Sequence, residues 1–288
     1  MIRYVFDIMI KKYLVVNVLD GLRYIHSLVA ETPCDGFPVM EDNQIVGVLT
    51  YKDLLQAHPN RIAADAMSGH AVYIDAHASI WKAKELFDTN SNNDLLLVLD
   101  NNQLVGVLTK SVLKAELGKH IDLLTGLPKG DFIYYNALRL IESNQEMSFA
   151  FLDVNNFGLI DKEYGHVAGD IILKELSGLL ESNMPEQTYV ARFGGDEFLV
   201  LTPYYVDKCY TFAKDLLDII SRYTFHKNIP VTVSAGIAEK NATQANSQNK
   251  LQTISQLINL ASLASTKAKK EKCEVSIATD CITCNFAG

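Results

Sequence analysis

The chain has no apolar run approaching the ~18 residues of a membrane-crossing helix, although 48% of its 288 residues are hydrophobic. No span through a bilayer is expected. Basic residues are not in excess either: 26 Lys and Arg stand against 34 Asp and Glu, a net charge of −8. Binding to a nucleic-acid backbone rests on clustered basic surface, so nucleic acid is not expected as the main partner. Cysteine is scarce and odd in number, at positions Cys34, Cys209, Cys273, Cys281 and Cys284. The first residues place Asp7 where an export signal is apolar, and Lys11 and Lys12 follow soon after. Free thiols and a cytoplasmic location are therefore expected. Cys281-Ile282-Thr283-Cys284 has redox or metal spacing, but no matching Cys or His pair lies nearby, and it reads as tail composition. The length leaves room for two cores.

An internal repeat is present in the first half. Phe37-Pro38-Val39-Met40-Glu41-Asp42-Asn43-Gln44-Ile45-Val46-Gly47-Val48-Leu49-Thr50 recurs as Leu96-Leu97-Val98-Leu99-Asp100-Asn101-Asn102-Gln103-Leu104-Val105-Gly106-Val107-Leu108-Thr109, 59 residues on from Gly47 to Gly106. Each copy opens alike, with Asp7-Ile8-Met9 and Asp65-Ala66-Met67. The order is strand, acidic turn, strand, helix, and repetition at this period argues for duplicated units that pack on each other. Together the copies resemble a CBS-domain pair, a regulatory module that commonly binds adenine nucleotides. The resemblance implies a site from Gly-x-x-Thr-x-x-Asp, with the hydroxyl on phosphate and the carboxylate on ribose. The first copy has Gly47, Thr50 and Asp53; the second has Thr109 but Val112 at the aspartate position. One adenine-nucleotide site at most is complete. Asp53 is equally readable as an acid that the dipole favours at a helix start, and a purely dimerising pair stays open.

In the second half, Arg192-Phe193-Gly194-Gly195-Asp196-Glu197-Phe198 sits between apolar runs of strand length. Two glycines followed by two carboxylates predict a tight hairpin tip in which glycine supplies positive φ and lets a ligand approach. Met147 to Val154 reads as a buried strand carrying Asp153 near its end. A carboxylate there is costly unless a cation or donors compensate it. If this strand pairs antiparallel with the one leaving the hairpin, Asp153 and Asp196 meet. Oxygen ligands of this kind suit Mg²⁺, with substrate phosphates completing the shell.

Several spaced motifs now line up. Asp122-Leu123-Leu124-Thr125-Gly126-Leu127-Pro128, Phe151-Leu152-Asp153-Val154, Tyr164-Gly165-His166-Val167-Ala168-Gly169-Asp170 and Val231-Thr232-Val233-Ser234-Ala235-Gly236-Ile237-Ala238 together resemble the GGDEF domain of diguanylate cyclases. The expected fold class is α/β (α+β): a tandem CBS pair over residues 1–117, then a palm-like GGDEF domain over residues 118–288. The resemblance implies that two GTP molecules, held by two facing domains of a homodimer, become cyclic di-GMP and pyrophosphate. It implies Mg²⁺ or Mn²⁺ on Asp153, the Val154 carbonyl and Asp196, and Asp196 or Glu197 assisting the attacking hydroxyl. It implies substrate contacts from Asp161, Asp170, Lys269, Gly194 and Gly195. His166 is read as shaping a helix start.

The chain departs from that family at three nucleotide-facing positions. Asp161 stands where asparagine is usual, Gly158 where lysine is common, and Cys273 where arginine closes an Ala-Lys-x-x-Gly-Arg segment. Each lost charge-assisted contact costs about 1.5 to 3 kcal/mol of binding unless Lys162, Lys270 or Lys272 substitutes. Pro185-Glu186-Gln187-Thr188 replaces the Arg-x-x-Asp of product inhibition. Two outcomes stay open: a cyclase of low activity, or a weakened domain that binds GTP and acts as an allosteric or interaction module. Ser111 to Lys119 reads as a helical linker between the two parts, and Asn241 to Lys250 as a flexible loop.

Overall fold

The computed structural model describes residues 2–31, 35–239 and 249–278, so Cys34, Cys281, Cys284 and most of Asn241 to Lys250 lie outside the described residues. The chain divides into two compact units, Met1–Lys119 and His120–Gly288.

In the first unit, the repeat in sequence becomes a repeat in structure. The elements are α1 (Val5–Ile8), β1 (Val16–Asn17), α2 (Leu22–Glu31), β2 (Gly36–Glu41), β3 (Gln44–Thr50), α3 (Tyr51–Gln56), α4 (Ala63–Ala66), β4 (Val72–Asp75), α5 (Ile80–Thr89), β5 (Leu95–Asp100), β6 (Gln103–Thr109) and α6 (Lys110–Leu117). They form two three-stranded sheets, β1-β2-β3 and β4-β5-β6. Each has a parallel first pair and an antiparallel hairpin. Both hairpins turn on two residues at positive φ, Asp42 and Asn43 in one, Asn101 and Asn102 in the other. Asp and Asn tolerate that region better than most side chains. The copies also exchange backbone. Val48 and Ser68 bond across one crossing, Ile10 and Val107 across the other, at 2.8 to 3.1 Å. Gly47 is needed at the first, since a Cβ there would lie 2.4 Å from the Ser68 carbonyl oxygen. The expected linker helix is present as α6, but Leu113 and Glu116 are buried and Glu116 accepts from Arg3 at 3.2 Å. It is part of the first unit's packing, followed by a short 3-10 turn at Gly118–His120.

The second unit runs α7 (Gly130–Glu142), β7 (Ser148–Val154), α8 (Phe157–Tyr164), α9 (His166–Ser182), β8 (Tyr189–Gly194), β9 (Glu197–Thr202), α10 (Val206–Arg222), β10 (Val233–Glu239), α11 (Lys250–Glu271) and β11 (Val275–Ile277). Its sheet has the order β11-β10-β7-β9-β8, antiparallel except for β10 with β11. Alternation along β7 explains why both faces are covered. Phe149 and Phe151 pack with α7 and α11, whereas Ala150, Leu152 and Val154 pack with α9 and α10. Asp153 shares the parity of the phenylalanines. The last turn of α11 is therefore its natural neighbour.

Candidate active site at the ends of β7 and β9

The antiparallel pairing of β7 with β9 sets Asp153 directly opposite Glu197. The Val154 amide donates to the Asp196 carbonyl at 3.3 Å, so the three acidic residues occupy one end of the two central strands. From α11, the Lys269 ammonium reaches the Asp153 carboxylate and donates to the Val154 carbonyl at 3.0 Å. The helix comes this close because β10 offers Gly236 beneath it. A Cβ there would lie 2.0 Å from the Ala261 carbonyl oxygen.

Electrostatics follow from this crowding. Partial burial pushes the Asp196 carboxyl above its usual range, and the neighbouring Asp153 charge adds to it while Lys269 opposes it. Glu197 is raised for the same reasons, burial first, then Asp153 and Asp196. Like charges held in reduced dielectric disfavour ionisation until a cation joins them. The donor set fits a divalent ion in part: a carboxylate and a carbonyl already face an ammonium, and two more carboxylates stand beside them. Among the described residues no group of three His, Cys, Asp or Glu side chains gathers on one point. A metal here would complete its shell with water or phosphate oxygens, as Mg²⁺ commonly does.

The glycine hairpin differs from its sequence expectation. Neither Gly194 nor Gly195 adopts positive φ. The two-residue turn is Gly195-Asp196, entered through a bulge between Arg192 and Gly194, and Gly194 serves by leaving room, since a Cβ would lie 2.7 Å from Glu197 Oε2. What holds the tip is Arg192. Its guanidinium donates to the Gly195 carbonyl at 3.0 and 2.6 Å and to Asp122 Oδ1 at 2.7 Å. Asp122 Oδ1 also accepts from the Thr125 amide and hydroxyl at 2.9 and 2.8 Å. Burial opposes ionisation of Asp122, but the bonds from Arg192 and Thr125 outweigh it and hold the carboxyl below its usual range. The pair is not legible in the sequence, because nothing in the two motifs signals that residues 70 positions apart are partners.

The remaining substrate candidates spread outward. Asp161 leans over α9, where a Cβ on Gly169 would lie 2.1 Å from its Oδ1. That Oδ1 is buried with no hydrogen-bond partner among the described residues, while Oδ2 pairs with His166 Nδ1 at 2.9 Å. His166 begins α9 and is otherwise exposed. Asp170 is exposed on α9, and Gly158 faces open space. Beside Lys269, a cleft of about 550 Å³ opens, lined by Asn155, Ser221, Thr232, Lys269, Lys272 and Cys273 among others. Lys162 and Lys270 do not line it. Upstream of β8, Pro185 and Thr188 close a turn through the Thr188 amide at 3.1 Å.

In the first unit, Thr50 and Asp53 bond to each other. The Asp53 carboxylate accepts from the Thr50 amide at 2.9 Å and hydroxyl at 2.6 Å, a capping box at the start of α3. A cleft of about 290 Å³ is lined by Asp35, Thr50, Lys52, Asp94, Lys110 and Ser111, drawn from both repeats, and Asp53 is not among its lining residues.

The profile described as "Diguanylate cyclase, GGDEF domain" matches residues 119–274. The chain belongs to that family, and a CBS domain profile matches it twice, at residues 5–60 and 63–118. It is 31% identical over 132 residues to Diguanylate cyclase DgcP of Pseudomonas aeruginosa, covering 43% of this chain and 20% of that protein. To Uncharacterized membrane protein SSP1970 of Staphylococcus saprophyticus it is 30% identical over 140 residues, covering 46% of this chain and 39% of that one. The chain thus spans well under half the length of these relatives. Among solved structures, diguanylate cyclase SiaD of Pseudomonas aeruginosa, in complex with its activator SiaC, has a TM-score of 0.51 over 69% of this chain and 72% of that chain, at 23% identity. The likeness is one of fold. No described helix is long and apolar enough to cross a membrane.

Proposed function

We propose that the chain is a diguanylate cyclase that condenses two GTP molecules into cyclic di-GMP and pyrophosphate, acting as a homodimer under control of its CBS pair. The observation that carries the reading is the cation-holding end of β7, where Asp153 and the Val154 carbonyl face an ammonium beside Asp196 and Glu197. A divalent ion held by Asp153, Val154 and Asp196, Mg²⁺ or Mn²⁺, would neutralise phosphate charge and ease deprotonation of the attacking 3′-hydroxyl. Asp196 or Glu197 would take that proton. Gly194 and Gly195 leave space for the nucleotide at the tip, and Asp161 and Asp170 accept from the N–H donors of the base. The need for GTP places this unit's work in the cytoplasm.

A second reading rests on Asp161. Its carboxylate is folded onto Gly169 and paired with His166, and with Gly158 and Cys273 it leaves fewer contacts for a nucleotide. On that reading the domain binds GTP and signals through its partners without turnover. Incubation with GTP and Mg²⁺ separates the two: cyclic di-GMP supports the cyclase, and bound GTP without product supports the module.

For the first unit we propose an adenine nucleotide at Thr50 and Asp53, which would replace the bonds these residues make to each other. Calorimetric titration with AMP, ADP and ATP checks it. Asp53→Ala is expected to weaken binding and Val112→Ala to leave it unchanged; no heat with any of the three would leave the pair as a dimerisation scaffold. A regulatory coupling of about 1 to 3 kcal/mol would appear as roughly 5- to 150-fold shifts in ligand affinity.

A further inference from the structure

Three carboxylates occupy one end of the two central strands, and among the described residues a single cation bonds to any of them. The Lys269 ammonium reaches Asp153 Oδ1 and donates to the Val154 carbonyl at 3.0 Å. These two groups are among those that the proposed function assigns to a divalent ion. Mg²⁺ sits about 2.0 to 2.1 Å from each of its oxygens, so both cations on this one pair of oxygens would stand side by side. In the reduced dielectric of a partly buried site such like charges repel strongly. One cation excludes the other.

The helix delivers this ammonium by its packing. Ser265 and Ala268 on α11 are buried, and Gly236 beneath the helix lets it lie close to β10. Lys269 follows Ala268 in the last turn, where the helix dipole favours a cation. Its neighbours Lys267 and Lys270 are exposed instead, and Lys267 pairs with Glu271 at 4.0 Å. The lysine stem is flexible, and a cleft of about 550 Å³ opens beside it, which gives the ammonium room to withdraw. We propose that Lys269 is a resident counter-cation: it holds the Asp153 and Val154 oxygens until a divalent ion takes them, and then turns its ammonium out into the cleft. This rests on the metal-binding part of the function proposed above and not on its cyclisation step.

The test reads the metal and the lysine, not the product. Calorimetric titration of the full chain with Mn²⁺, without nucleotide, is expected to show binding about tenfold tighter in Lys269→Met than in the wild type, the low end for release of a charge-assisted bond at a partly exposed site. Lys270→Met removes an exposed charge that does not touch Asp153, and it is expected to change the affinity little. In the wild type, acetylation followed by mass spectrometry is expected to label Lys269 faster when Mg²⁺ is present and Lys270 at the same rate with or without it. Equal Mn²⁺ affinity in the wild type and Lys269→Met, equal tightening by Lys270→Met, no Mn²⁺ binding by any of the three, or Lys269 labelling that Mg²⁺ does not alter would each overturn the inference. A wild type whose Lys269 is released by Mg²⁺ yet which forms no cyclic dinucleotide from GTP would remove the cyclase reading and leave this one standing.

Discussion

Asp196 and Glu197 hold their protons more tightly in the folded chain than as free side chains. A carboxyl whose folded pKa is raised loses stability for the fold as pH climbs from its unfolded value through the folded one. The metal-free protein is therefore expected to gain stability from this pair on mild acidification. Asp122 has the opposite sign: its lowered pKa contributes stability above the unfolded value, lost as pH falls through the folded one. Asp196→Asn is accordingly expected to raise the metal-free Tm at pH 7 while removing most product formation. Calorimetric scans with and without Mg²⁺ check it; a lower Tm would mean that Asp196 is a structural partner. Asp53→Ala should cost about 1 kcal/mol through the bonds its carboxylate accepts from the Thr50 amide and hydroxyl, seen in denaturant unfolding without any ligand. That cost must be separated from any loss of nucleotide affinity.

The placement of the site is a matter of elements. Lys269 meets Asp153 because α11 lies almost on the backbone of β10 at Gly236. Gly236→Ala would press against the Ala261 carbonyl and the Ser265 amide, both 2.0 Å from the added carbon. Overpacking of this kind costs about 1 to 3 kcal/mol, and displacement of α11 should reduce catalysis more than stability suggests. Comparing Tm with turnover in this variant measures the link; full activity would show that Lys269 is not needed where it stands. Much at this scale was legible in the sequence. The alternating pattern of β7 sets which face Asp153 shares, and the two positive-φ pairs, Asp42-Asn43 and Asn101-Asn102, lie in the acidic turns of the repeat. The role of the glycine tip is not legible, because a Gly-Gly pair states only that side chains are absent. Whether that absence serves φ or space depends on the bulge at Arg192, on Glu197 opposite and on Asp122 from a distant loop, none of which local pattern encodes.

Across the whole molecule, a duplicated unit precedes a single catalytic-type unit, and both repeat and motif order were readable before the structure. The helix expected between the two parts stands where its pattern put it, ending at Gly118; that it packs within the first unit, with Leu113 and Glu116 buried, depends on neighbouring elements rather than on its own sequence. Feedback is expected to be weak, because Pro185 and Thr188 occupy the turn where the family carries a charged pair. Added cyclic di-GMP should barely slow turnover, and inhibition at micromolar product would reveal another product site. In the proposed function, the acids at the ends of β7 and β9 cyclise GTP. The direct measurement is the initial rate of cyclic di-GMP formation from GTP and Mg²⁺ by the wild type and by Asp153→Asn and Asp196→Ala proteins. Product is expected from the wild type, and loss of most of it from either variant. An Asp196→Ala protein working at the wild-type rate, or a GTP-bound wild type yielding no product, would contradict it.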